Sequence, residues 1–153
     1  MRESKPTHFA ADGTLRMVDV SGKQETARTA RAQARVRLNA QAAAALREAA
    51  LAKGDAFAAA QLAGILAAKQ TPALVPLTHS IPLSKVDVQF AWDGDVLVIE
   101  SLARTVAQTG VEIEALVAVS LAALTIYDMA KAIDRGITIE VIRLLEKTGG
   151  SHR

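Results

Sequence analysis

The period of apolar and polar positions changes several times along the chain. Residues 1–31 hold no sustained period and read as an extended N-terminal arm, with Asp12-Gly13 as a turn. Ala34-Arg35-Val36-Arg37-Leu38 alternates small or apolar with basic residues, which predicts a short strand. Asn39 suits the N-cap of an alanine-rich helix running to about Ala52, and Gly54 suits its C-terminal end. Asp55 then caps a second helix through Lys69, which Thr71-Pro72 closes. Leu77 to Pro82 reads as a loop, with Pro76 and Pro82 limiting its backbone. Val86, Val88 and Phe90 alternate with Asp87 and Gln89, Asp93-Gly94 signals a type I′ turn, and Val96-Leu97-Val98-Ile99 returns, which predicts a hairpin. Trp92, beside that turn, is expected to pack against the sheet. A long apolar helix follows from about Glu112 to Asp134, ending at Gly136, and a last strand covers Ile137 to Leu145. The order β-α-α-β-β-α-β predicts an α+β fold, an antiparallel sheet covered by helices on one face, with a ferredoxin-like arrangement the best fit. Residues 32–153 are expected to make a single domain behind the arm.

Composition narrows the function. The 153 residues suffice for one domain with a real core, half of them are apolar and only 3% are aromatic. Abundant alanine favours helices and close packing but leaves one subunit short of core volume, so burial by oligomerisation is attractive. Net charge is only +2, from 18 basic and 16 acidic residues, without the basic block or interleaved aromatics of a nucleic-acid surface. No cysteine means no disulfide, thiolate metal site or cysteine nucleophile. The first residues lack the apolar core of a signal peptide, and the apolar run after Glu114 meets Asp128 before the roughly 20 residues a bilayer requires. A cytoplasmic protein with no membrane partner is the expectation.

Three places carry candidate chemistry. In Thr125-Ile126-Tyr127-Asp128-Met129-Ala130-Lys131 a carboxylate and an ammonium lie three residues apart on one helix face. Such a pair is usually a surface ion pair. Here the run Ala115 to Leu124 is apolar nearly all round, the mark of a buried helix, which favours a pocket at its end. Lys53-Gly54-Asp55 reads first as capping chemistry at a helix–helix junction, and His79 as an exposed loop histidine or a phosphate donor held by flanking prolines. His8, His79 and His152 show no metal-ligand spacing. Glu112 and Glu114 point about 200° apart on a helix, so both face one ligand only if the helix begins at or after Glu114. Glu114 and Asp128 share a helix face but lie roughly 21 Å apart, so they serve different sites or sites assembled from two subunits.

Taken together, Met17-Val18-Asp19-Val20-Ser21, Lys53-Gly54-Asp55, Ala63 to Lys69, Pro76-Leu77-Thr78-His79, Thr109-Gly110-Val111-Glu112-Ile113-Glu114-Ala115-Leu116 and Leu124 to Lys131 occur in the order of one family. The chain resembles the MoaC family, the cyclic pyranopterin monophosphate synthases of molybdenum-cofactor biosynthesis. That resemblance implies a lyase converting 3′,8-cyclo-7,8-dihydroguanosine 5′-triphosphate into cyclic pyranopterin monophosphate with release of pyrophosphate. It also implies a ferredoxin-like fold and a homohexamer, a trimer of dimers with sites between subunits. By motif matching, Asp128 leads the catalytic set with Lys53 and Lys131, while Leu77, Thr78 and His79, with Ile113 and Glu114, match substrate-binding segments. Where the family's loop typically reads Leu-Cys-His-Pro, this chain has Leu77-Thr78-His79-Ser80, with a hydroxyl for a thiol and no proline after the histidine.

The residue types suit that chemistry. Rebuilding a purine-derived ring needs repeated proton transfers, and two neighbouring lysines, Lys53 and Lys131, depress one another's pKa while Asp128 orients one of them. The triphosphate calls for positive charge, for which Lys69, Arg104, Lys147, and Lys23 or Arg28 from the arm are candidates; Glu112 joins Glu114 in the expected substrate-binding set. Gly149-Gly150 would let backbone N–H groups approach a phosphate. No protein-held metal or other cofactor is required; Mg2+ on the triphosphate is compatible, although no carboxylate cage is visible. Two other classes stay open, a non-catalytic nucleotide-binding regulatory module and a structural oligomer with decayed sites. An assay of pyrophosphate release from the cyclic GTP-derived intermediate separates all three.

Overall fold

In the computed structural model, which describes residues 7–49, 51 and 55–150, the chain folds as β1 (Thr26–Arg37), α1 (Ala40–Arg47), α2 (Ala56–Lys69), α3 (Thr71–Leu74), β2 (Leu83–Asp93), β3 (Val96–Ala107), α4 (Glu112–Ala130) and β4 (Thr138–Thr148). The four strands form one sheet in the order β2-β3-β1-β4, antiparallel throughout. Each helical crossover therefore skips one strand, the split β-α-β pattern of the expected α+β ferredoxin-like fold.

β1 starts at Thr26, well before the expected Ala34, so residues 26–31 belong to the sheet. From Ala30 onward alanine or valine alternates with arginine or glutamine. Ala30, Ala32, Ala34 and Val36 are fully buried toward the helices, while Arg31, Gln33 and Arg35 occupy the other face. The period is two, but alanine gives it too little apolar contrast to read from sequence. On that other face Glu100 accepts from Arg31 (2.8 Å) and Gln33 (3.3 Å), and Gln33 accepts from Arg143 (2.7 Å).

Small residues also decide the helix packing. A Cβ on Gly64 of α2 would stand 2.8 Å from the Ala118 carbonyl oxygen of α4 and 3.0 Å from Val88 Cγ2, so glycine there sets how closely the two helices and the sheet meet. Ser101 Oγ, on β3, donates to the Ala115 carbonyl at 2.7 Å and ties the first turns of α4 to the sheet. α4 is long and apolar enough to cross a bilayer by length and composition; here Ala115, Ala118, Val119, Ala122, Ala123 and Ile126 are buried in the core.

Element ends differ from expectation for local reasons. Asn39 caps α1 (Ala42 N, 2.8 Å) and Asp55 caps α2 (Ala58 N, 3.0 Å), as their residue types foretell. α1 nevertheless ends at Arg47 rather than near Ala52, with Ala49 at φ 52 and the Arg47 guanidinium 4.2 Å above the Trp92 ring. Gly54, the expected C-cap, lies outside the described residues. Trp92 packs on the core, edge-on to Phe57 at 6.5 Å. The hairpin loop is Gly94-Asp95, because Asp93 pairs with Val96. Only Gly94 has positive φ (59), so the turn has the type II′ arrangement with glycine first, not type I′. α4 stops at Ala130 rather than Asp134, whose carboxylate instead accepts from Asn39 N and Gly136 N, both at 2.7 Å. β4 runs on to Thr148, beyond the expected Leu145, and so carries Lys147 to the site.

Candidate active site at the N-terminal end of helix α4

Where α4 begins, the arm, the loop after α3 and the end of β4 enclose a cleft of two chambers. The first, about 540 Å³, is lined by Val18, Val20, Leu77, Thr78, His79, Ile113 and Glu114, among others. The second, about 760 Å³, is lined by Thr26, Arg28, Lys147 and Gly149, among others. Lys23, Thr109, Gly110 and Glu112 line both, so the chambers adjoin.

Three buried side-chain oxygens among the described residues have no hydrogen-bond partner, Thr26 Oγ1, Glu112 Oε2 and Glu114 Oε2, and all three belong to residues lining this cleft. A buried polar atom without a partner costs stability. Their concentration here marks a site built to receive a polar ligand. Glu114 is 4% exposed. Burial pushes its carboxyl up to about 7, its backbone hydrogen bond pulls the other way, and the neighbouring Glu112 charge adds to the rise.

Both glutamates line the first chamber although α4 begins at Glu112, which corrects the expectation that the helix would have to start at or after Glu114. The reason is Gly110. A Cβ there would stand 2.1 Å from Glu112 Oε2, so the missing side chain lets the Glu112 carboxylate fold back over the backbone into the cleft. Its other oxygen accepts from Lys147 Nζ at 3.2 Å. Arg28 is oriented by bonds from Nε to the Ala107 carbonyl (3.1 Å) and from Nη2 to the Gln108 carbonyl (3.3 Å). Gly149 has φ 95, and a Cβ on it would meet the Ala27 carbonyl oxygen at 2.2 Å. The missing side chain thus serves close approach to β1, and the same residue lines the second chamber.

The expected set divides in space. Leu77, Thr78, His79, Ile113, Glu114, Glu112, Lys23, Arg28 and Lys147 meet at this cleft. The Thr78 hydroxyl turns back to the Val75 carbonyl at 2.8 Å, and His79 Nε2–H donates to the Val18 carbonyl. Lys69, exposed at the end of α2, lines neither chamber. Arg104, exposed on β3, lines a small recess with Arg31, Asp87 and Glu100 on the other side of the sheet. Asp128 and Lys131 lie at the far end of α4, about 21 Å from Glu114 along one continuous helix. They form an ion pair at 2.9 Å, with side chains 57% and 55% exposed. That bond, and the Asp128 charge behind it, raise the Lys131 pKa; the depression expected of it involves Lys53. Lys53 lies outside the described residues. Sequence reasoning passed over Thr26, Thr7 and His8, which line the cleft; the threonines carry no charge or motif to flag them, and His8 showed no ligand spacing.

The MoaC family model matches residues 17–150. The chain is 50% identical over 147 residues to the cyclic pyranopterin monophosphate synthase of Corynebacterium glutamicum strain R, covering 96% of this chain and 94% of that protein. It is 51% identical over 144 residues to the same-named protein of Novosphingobium aromaticivorans, covering 94% and 92%. With that of Thermomicrobium roseum it shares 52% over 146 residues, covering 94% and 88%. Likeness of this extent spans the arm, the cleft and the far end of α4 together, and the chain belongs to the MoaC family of molybdenum-cofactor biosynthesis.

Proposed function

We propose that this chain is a cyclic pyranopterin monophosphate synthase, a lyase that takes 3′,8-cyclo-7,8-dihydroguanosine 5′-triphosphate to cyclic pyranopterin monophosphate and pyrophosphate. The observation that carries the reading is the gathering of all three unpartnered buried oxygens, with Lys23, Arg28 and Lys147, at one two-chambered cleft. A guanine-derived ring presents an edge of N–H and NH2 donors, which a buried carboxylate such as Glu114 accepts. A triphosphate presents anionic oxygens, which the cationic second chamber offsets. Glu114, titrating near 7, holds or releases a proton at working pH.

Asp128, Lys131 and Lys53 are assigned the proton transfers of ring opening and closure. Asp128 holds Lys131 as an ammonium within one chain, so Lys131 is set as a proton donor; it serves as a base only after that proton has passed to the substrate. Because Asp128 stands at the opposite end of α4 from Glu114, each site takes its two halves from different subunits of a homohexamer. Exposed apolar side chains support such an assembly: Leu62 and Leu66 on α2, Leu124 and Tyr127 on α4, and Ile142 and Leu144 on β4. Magnesium, where used, arrives on the triphosphate oxygens; among the described residues no group of three histidine or acidic side chains is placed to hold a metal. The cytoplasm is the proposed location.

Incubating the protein with the cyclic GTP-derived intermediate should release one pyrophosphate per pterin formed, and Asp128→Asn, Lys131→Ala and Lys53→Ala should each lower turnover by about 100-fold or more while remaining folded. Tight binding without pyrophosphate release would favour a regulatory nucleotide-binding module instead.

A further inference from the structure

Residues 7–25 belong neither to the sheet nor to the helices, yet they wall the cleft: Thr7, His8, Val18, Val20 and Lys23 line its first chamber. Their hydrogen bonds are nearly all internal. Asp12 accepts from Thr14, Arg16 N reaches the His8 carbonyl, Asp19 Oδ1 accepts from both the amide and the hydroxyl of Ser21, and Lys23 N reaches the Val20 carbonyl. Apolar burial fastens it only partly: Val18 and Val20 are half-buried, while Phe9, Leu15 and Met17 stand about half or more exposed. Among the described residues a single hydrogen bond crosses from this segment to the rest of the chain, from His79 Nε2–H to the Val18 carbonyl. A carbonyl only accepts, so that bond fixes the proton on Nε2. From the pinned carbonyl, the Asp19–Ser21 turn and the Val20–Lys23 turn follow without slack, and they end at Lys23, which lines both chambers.

We infer that His79 is a latch, a positioning residue whose bond to the Val18 carbonyl holds the arm as a wall of the cleft and sets Lys23 at the junction of the chambers to meet an anionic oxygen of phosphate type. Among the described residues Lys23 has no carboxylate partner competing for its ammonium. The choice of phosphate rests on the proposed function; the latch does not.

Two substitutions separate the donor from the ring. His79→Gln keeps an N–H donor at a similar reach, and His79→Ala removes it. In hydrogen exchange on the full-length, ligand-free protein, amides of residues 16–23 should exchange about three- to tenfold faster in His79→Ala and near the parent rate in His79→Gln. In calorimetric titration with inorganic triphosphate, His79→Ala and Lys23→Ala should each weaken binding roughly tenfold, and the double variant should be no weaker than either alone. Unchanged exchange in His79→Ala, a glutamine variant as defective as the alanine one, or additive losses in the double variant would overturn the latch. Triphosphate failing to bind the parent protein, with exchange responding as expected, would leave the latch standing and remove the phosphate reading of the cleft.

Discussion

Glu114 occupies a cleft wall where the residue is 4% exposed and one carboxylate oxygen lacks a partner. Its pKa of about 7, against an ordinary 4.5, makes folding stability depend on pH through this residue. Between those values the folded chain keeps a proton that the unfolded chain has lost. The stabilisation is therefore complete below pH 4.5 and is lost as pH rises through 7. The whole difference is about 3 kcal/mol at most. Glu114→Gln, neutral at every pH, should flatten this slope and leave the variant more stable than the parent at pH 8 by up to that amount, while weakening ligand binding. Urea unfolding from pH 4.5 to 8 measures it; an unaltered slope would move the titration to another group. Sequence shows that a glutamate stands at 114 and not that it is buried, because burial depends on how the arm and the loop at Leu77 close over it. The Asp128–Lys131 pair is the converse case. Its spacing was legible, and among the described residues it is an exposed ion pair.

At the scale of elements, the close crossing of α2 over α4 depends on Gly64. Gly64→Ala places a methyl 2.8 Å from a backbone oxygen of α4, and a helix backbone cannot move aside as a side chain tip does. We expect a loss of about 1–3 kcal/mol, read by urea unfolding, despite the higher helix propensity of alanine. A neutral or stabilising effect would show that the helices separate readily. The helices and hairpin were legible from caps and periods: Asn39, Asp55, and the alternation through Val86, Val88 and Phe90. Less legible were the starts and stops that position the site. β1 begins at Thr26 because it pairs with β3 over its full length, and β4 runs on through Lys147 because it pairs with β1 as far as Thr29; pairing partners distant in sequence give no local signal. The Lys147–Glu112 contact, and with it the second chamber, follows from that extension.

For the molecule as a whole, α4 poses a question of assembly, since it presents Glu114 at one end and Asp128 about 21 Å away at the other. If each site takes Glu114 from one subunit and Asp128 from another, mixing Glu114→Ala and Asp128→Asn proteins under conditions of subunit exchange should restore activity at about a quarter of the sites. Confirmed exchange without recovery would place both residues in one subunit's chemistry or in separate sites. The chain's own order of residues determined the α+β class, the caps, the hairpin, the long apolar helix and the motif blocks of its family, because these depend on neighbours within a few residues. Tertiary structure alone decided that Lys23, Arg28 and Lys147 converge while Lys69 and Arg104 do not, that Glu112 enters the cleft over Gly110, and that His79 grips the arm. Those outcomes depend on contacts between segments tens of residues apart, where charge and burial are set by whichever backbone arrives alongside.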